Sequence, residues 1–322
     1  MEVFKISKSE KQENHSHQNQ PNKNIKIAFF TNFIFSMIEF FFGSLFNSVS
    51  IMSDAVHDLG DSISIGFAWF FQGYSEKQQD EQFTFGYNRF SLLGALITGV
   101  VLIGGSFFMI YRSIPRLIDP QPVNYSGMFW LSLVAIGLNG YAAWILSKGS
   151  SKNEGMLNLH MLEDVLGWIG VLVVSIVMNF TEAYRLDPIL SILIALYILY
   201  KTVPEFLSTM KILLNGSPEN VNVENLASSI NNIPAVKALS HFHIWSLDGE
   251  ENALIVTVLI DSSDINKARE IKEEIAELAH TSGVKNHITI EITTSKDELE
   301  KGYAYGSWFC CKVLNLLSNK VE

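Results

Sequence analysis

The sequence predicts a membrane all-α domain of six transmembrane helices, followed by a cytoplasmic α+β domain of order α-β-β-α-β. Three observations predict it. Apolar residues gather into runs between Ile25 and Phe206, each long enough for a helix across the ~30 Å hydrocarbon core of a bilayer. Only 17% of the 322 residues are charged, below the level of about a quarter usual in soluble domains. From about Leu213 the runs give way to short alternating segments and amphipathic stretches.

Met1 to Lys23 is polar and has no apolar core, so it reads as a disordered cytoplasmic tail (1–24) rather than a cleavable signal. Its His15 and His17 are either solvated tail residues or a weak metal collector. The membrane domain spans 25–212. Its first run, Ile25 to Phe46, is interrupted by Asn32 and Glu39. The second extends from Ser48 to about Tyr74, and Ser75 to Gln82 is a polar loop. Phe83-Thr-Phe-Gly-Tyr-Asn-Arg89 leads into the third, Phe90 to Tyr111. Pro115, Pro120 and Pro122 mark a turn from Ile114 to Asn124. The fourth run is Gly127 to Leu146, and Lys148 to Glu154 is a hydrophilic connection. The fifth is Met156 to Phe180, with Gly167 and Gly170 permitting close helix approach. Asp187-Pro188 opens the sixth, which ends near Phe206, with the aspartate favouring the positive end of the helix dipole.

The second and fifth runs carry the chemistry. In Ser53-Asp-Ala-Val-His57-Asp-Leu-Gly-Asp61, His57 and Asp61 stand four apart and project from one helix face. His160-Met-Leu-Glu-Asp164 repeats the spacing. Two such helices side by side offer two nitrogens and two carboxylates, which suits a tetrahedral divalent ion, Zn²⁺ first. A single such residue is as readily a hydrogen-bonded packing residue. Two pairs in two apolar runs instead point to an ion path, because charge at membrane depth is expensive. Asp54 shares the His57 face and is placed to orient a ligand. Glu39 supports the site from a neighbouring helix or bonds between helices. Asp58 is turned about 100° from His57 and falls outside the ligand set. Glu163 reads as a supporting or helix-interface residue.

Six spans put both termini on one side. Lys5, Lys8, Lys11, Lys23 and Lys26 share that side with Lys77, Arg89, Lys148, Lys152, Lys201 and Lys211. Arg112, Arg116 and Arg185 lie opposite, so the termini are expected in the cytoplasm and the chain in the plasma membrane, surrounded by lipid. A formal net charge of −10 argues against nucleic acid as a partner. Adjacent Cys310 and Cys311 do not suggest a disulfide framework.

The second domain covers 213–295. Pro218 to Asn222 is a turn and Val223 to Asn231 a helix. Val236 to Ser246 and Ala253 to Ile260 are strands joined at Asp248-Gly249. Asn266 to His280 is an amphipathic helix, and His287 to Ile292 alternates as a half-buried strand does. No dinucleotide fingerprint, phosphate loop or nucleophile elbow is present. Enzymatic chemistry and a prosthetic group are not expected. Residues 296–322 form a tail with Tyr303, Tyr305, Trp308 and Phe309.

Several motifs then act together: Ser53-Asp-Ala-Val-His57 with Asp61, Thr84-Phe-Gly-Tyr-Asn-Arg89, His160 with Asp164, Asp187-Pro-Ile-Leu-Ser191, Leu213-Leu-Asn-Gly-Ser-Pro218 and His243-Ile-Trp245. Over about Ile25 to Ile292 the chain resembles a bacterial cation diffusion facilitator of the zinc/cobalt/cadmium exporter type. The resemblance implies a ferredoxin-like fold for the cytoplasmic domain, a homodimer through it, and export of a divalent metal in exchange for protons. It implies His57, Asp61, His160 and Asp164 as the transport site, with two His and two Asp going with zinc. It also implies a regulatory metal site in the second domain, where His241, His243 and His287 are the candidates. Ser240, Thr257 and Thr289 depart from that site's pattern. Two other readings use the same ligands. One is an intramembrane zinc metalloprotease, although its H-E-x-x-H signature is missing. The other is a sensor that binds metal without moving it.

Overall fold

A computed structural model describes residues 29–75, 79–147, 152–284 and 287–295, giving only the backbone at 68–69, 71–75, 145–146 and 152–160. The chain divides into two compact units. One comprises the described residues up to Tyr74 together with Leu93–Phe206; the other comprises Ser75–Leu92 and the described residues from Leu207 on.

The first unit is a helix bundle. Its helices are α1 (Phe29–Leu45), α2 (Val49–Ser75), α3 (Phe90–Ile118), α4 (Tyr125–Leu146), α5 (Lys152–Thr181) and α6 (Leu186–Leu213). Among the described residues, four segments are long and apolar enough to cross a membrane: Phe90–Ile118, Tyr125–Trp144, Met161–Thr181 and Leu186–Leu213. α1 is apolar but has 17 described residues, and α2, at 27 residues, carries three aspartates. Phe107, Trp130, Leu166 and Phe180 turn outward, as side chains facing lipid do.

Two helices run on through prolines. α3 continues through Pro115 to Ile118, where the sequence predicts a turn from Ile114. α6 continues through Pro204 to Leu213, past its predicted end near Phe206. Proline removes one backbone donor, and packed neighbours in a membrane bundle tolerate that loss. The connection predicted up to Glu154 is shorter, since α5 already begins at Lys152.

Close approach sets the packing around α2. A Cβ on Gly60 would collide with a Leu102 methyl of α3, and one on Gly105 would collide with a Val56 methyl of α2. Each helix thus receives a side chain of the other at a glycine. Ser36 of α1 donates to the Ala55 carbonyl at 2.9 Å, and Ser53 donates to the Ser191 carbonyl of α6 at 3.3 Å. Trp168, Val171 and Met178 of α5 form a buried cluster with Met128 and Ala135 of α4.

α2 starts under a cap supplied by another helix. The chain leaves α1 through Asn47, whose φ of 56° is left-handed. Ser48 N bonds back to Gly43 O at 2.9 Å and Asn47 N to Ser44 O at 3.2 Å, the paired pattern of a Schellman stop. Arg116 then holds Asn47, donating to its backbone oxygen at 2.7 Å and its side-chain oxygen at 2.6 Å. Asp187, fully buried at the head of α6, accepts the Val49 amide at 2.8 Å, the Ser50 amide at 3.2 Å and both serine hydroxyls at 2.6 Å. As the sequence predicts, this carboxylate stands in the first turn of its own helix; it also satisfies orphan amides of α2.

The second unit follows the predicted order: α7 (Val223–Asn231), β1 (Val236–Ser246), β2 (Asn252–Ile260), α8 (Ala268–Thr281) and β3 (His287–Thr293). β2 is central, antiparallel to β1 and parallel to β3. Leu226 and Ile230 of α7 and Ile271 and Ile275 of α8 cover Leu239, Leu254, Val256 and Val258 of the sheet. The Asn222 side chain caps α7 by accepting the Asn225 amide at 3.0 Å. β1 bulges between Ser240 and His243, with His241 left-handed at φ 47°. The segment before α3 folds with this unit. Arg89 donates to the Leu247 carbonyl at 2.7 Å and to the Asn215 side chain at 2.9 Å, and the Phe85 ring meets His287 edge-on at 5.2 Å.

Candidate metal centre

α2 carries the site at its middle, about two to three turns along from the Asp187 cap. The i, i+4 spacing predicted from sequence is realised: His57 Nδ1 stands 3.1 Å from Asp61 Oδ2. Asp58, predicted to point away, also approaches, its Oδ1 lying 3.5 Å from the same nitrogen. The aspartate side chain turns back far enough to offset its position one residue along the helix. Among the described residues, His57, Asp58 and Asp61 are the one group of three or more potential ligands whose atoms all lie within 4.8 Å of each other.

A cavity of about 360 Å³ between α2, α5 and α6 meets this cluster at His57. His57 and Asp54 line it from α2, Glu163 and Asp164 from α5, and Leu190 and Tyr197 from α6. Asp164, predicted as a ligand, thus shares a cavity with His57. His160 lies in α5 one turn before Asp164, but its side chain falls outside the described residues. Gly167 lets α5 approach: a Cβ there would lie 3.4 Å from Asp54 Oδ1. Asp54 is nearly buried and turned toward α5, which suits a residue that orients its neighbours. Glu39 is completely buried on α1, with Asp58 and Asp54 as acidic neighbours.

One partnership has no signal in the sequence. Lys201 of α6 reaches Glu163 of α5, with Nζ 2.5 Å from Oε2. No local spacing links two residues 38 apart on separate helices.

The three histidines of the sheet unit are arranged differently. His241 and His243 neighbour each other on β1, with ring centroids 6.2 Å apart. His287 lies two strands away, in the row Trp245–Ala253–His287, a lateral distance of about 10 Å at the usual strand spacing. Its Nε2 is 4.0 Å from Glu251. A single chain does not bring these three within mutual ligand distance. His15, His17, Cys310 and Cys311 lie outside the described residues.

The family model described as the cation efflux transmembrane domain matches residues 25–214. The chain belongs to the cation efflux family. The match takes in all six helices of the bundle and both H-x-x-x-D pairs. Membership makes the chain a multi-pass membrane transporter and sets aside the metalloprotease reading. Among curated relatives, the cadmium, cobalt and zinc/H⁺-K⁺ antiporter of Bacillus subtilis (strain 168) is 32% identical over 286 residues, 87% of this chain and 92% of the relative. The metal cation efflux system protein CzcD of Cupriavidus metallidurans is 29% identical over 279 residues, 86% and 88% of the two chains. The zinc transporter ZitB of Pectobacterium atrosepticum is 31% identical over 239 residues, 73% and 75% of the two.

Proposed function

We propose that this cation efflux protein exports Zn²⁺, and with it Cd²⁺ or Co²⁺, from the cytoplasm in exchange for protons, through His57, Asp61, His160 and Asp164. The observation that carries the proposal is His57, which stands 3.1 Å from Asp61 and lines a cavity that Asp164 also lines. Across a tetrahedral zinc with bonds of ~2.0–2.1 Å, two ligand atoms stand about 3.3 Å apart. The 3.1 Å hydrogen-bonded pair needs to open by only ~0.2 Å to meet that spacing. An imidazole nitrogen cannot hold a metal and a proton together, so binding zinc displaces protons and protonation releases zinc. Asp61 and Asp164 offset the ion's two charges, which lowers the cost of moving it through an apolar region.

The chain crosses the plasma membrane six times, with α1 to α6, and keeps both termini in the cytoplasm. The distribution of basic residues supports this orientation. The sheet unit is a ferredoxin-like domain through which two copies pair. A regulatory metal on His241 and His243 would draw further ligands from a second copy, since His287 of the same chain is remote from them.

The test is zinc flux in proteoliposomes with a pH dye inside. Zinc moving one way should be matched by protons moving the other, and both signals should vanish in His160→Ala. Zinc flux that ignores an imposed pH gradient, with no proton signal, would make the protein a uniporter and end the exchange mechanism.

A further inference from the structure

Glu163 lines the same cavity as His57 and Asp164 and is the residue next to Asp164, so it would be a further carboxylate at a site that already has enough. What distinguishes it is its partner. Lys201 Nζ lies 2.5 Å from Glu163 Oε2, and the same ammonium lies 5.5 Å from the centroid of the Tyr197 ring, itself part of the cavity wall. An ion pair within apolar helices persists only because each charge satisfies the other. The pair joins α5 to α6 beside the cavity, with Glu163 one-third and Lys201 about half exposed.

We infer that Lys201 is a specificity-determining counter-ion: it keeps Glu163 out of the ligand set, so the cavity presents a nitrogen-containing site instead of a more oxygen-rich, more anionic one. The inference rests on the proposed transport site and deepens it. With Lys201 in place, an incoming Zn²⁺ meets the proposed His and Asp ligands without the Glu163 carboxylate. With Lys201 removed, Glu163 turns to the cation as its counter-charge. The site then holds zinc too tightly to release it quickly. Added carboxylate oxygen also makes the site more hospitable to hard ions such as Mn²⁺.

The experiment measures initial Zn²⁺ and Mn²⁺ fluxes in proteoliposomes for the full chain and for Lys201→Met, Lys201→Arg and Glu163→Gln/Lys201→Met, with His57→Ala alongside. Lys201→Met should lower both KM and kcat for zinc about tenfold, the change that about 1.4 kcal/mol of added attraction between ion and carboxylate produces. It should also gain Mn²⁺ flux. Lys201→Arg should keep zinc kinetics close to those of the parent chain. The double variant should recover the kcat lost in Lys201→Met, because the Glu163 carboxylate is gone. If the double variant is as impaired as Lys201→Met, the pair merely holds α5 to α6 and the inference is wrong. It is equally wrong if Lys201→Met leaves KM, kcat and Mn²⁺ flux unchanged while His57→Ala is inactive. Full flux in His57→Ala overturns the transport site itself, and this inference with it. Should Lys201→Met fail to insert, Lys201→Gln replaces it in the same comparison.

Discussion

Asp187 at the head of α6 accepts the backbone amide of Val49 at 2.8 Å, so the helix bearing His57 and Asp61 is capped by a residue 138 positions further along the chain. The cap fixes where α2 begins and therefore how deep in the bundle its ligands sit. Replacing Asp187 with Ala leaves two amides and two hydroxyls without their acceptor. The expected loss is about 2–4 kcal/mol, in the range for losing a cap together with hydrogen bonds to a charged group. Asp187→Asn keeps the shape and one oxygen and should lose about half as much. Thermal unfolding of the purified protein in detergent, scored by the surviving monodisperse fraction, gives the ranking. Equal midpoints for all three proteins would show that the cap is dispensable.

The reciprocal glycine contacts between α2 and α3 make a second expectation. A methyl group on Gly105 runs into a Val56 methyl, and valine has little rotamer freedom with which to yield. Gly105→Ala should cost about 1–3 kcal/mol through overpacking. Gly105→Leu should prevent insertion of an active protein. The second-site change Val56→Ala should recover most of the loss in Gly105→Ala. A double variant no better than the single one would place the damage elsewhere.

For the ligands themselves, His57→Ala and Asp164→Ala should each abolish zinc flux while the protein inserts and purifies normally. Each removes one of four groups around the ion and leaves a charged, incomplete pocket. Flux per inserted molecule is the measurement. Near-normal zinc flux in His57→Ala would relocate the site.

Selectivity offers a separate handle on the same residue. His57→Asp exchanges a nitrogen donor for oxygen and should shift the flux ratio from Zn²⁺ toward Mn²⁺. Parallel uptake assays with the two ions read the ratio directly. An unchanged ratio would mean that the imidazole does not set the preference.

The parts of the molecule governed by local rules are legible in the sequence. Apolar runs locate the bundle helices, the Asp248-Gly249 turn with its flanking segments locates β1 and β2, and alternation locates β3, each nearly to the residue. The i, i+4 spacing brings His57 to Asp61 as predicted. Features set by contact between distant segments are not legible. Asp187-Pro188 reads as the start of its own helix, and nothing local says that the carboxylate serves Val49. Pro115 reads as part of a turn because its missing donor is costly in water, whereas bundle neighbours absorb the loss and α3 runs on. Lys201 reads as a basic residue at the end of a span, and its partner on α5 is known only once the helices are side by side. Helix geometry alone excludes Asp58, because it fixes the Cβ direction but not the torsion that returns the carboxylate to His57.

The segment Ser75–Leu92 belongs to the same compact unit as the sheet, so the chain passes between units three times, after Tyr74, after Leu92 and after Phe206. A gene cut after Phe206 therefore does not deliver an isolated bundle. It strands Arg89 without the Leu247 carbonyl and Asn215, and Phe85 without His287. The remnant would show defects that belong to the orphaned loop, easily mistaken for a requirement for the missing domain. Chimaeras face the same rule: a sheet domain borrowed from a relative has to arrive with its own version of residues 79–92.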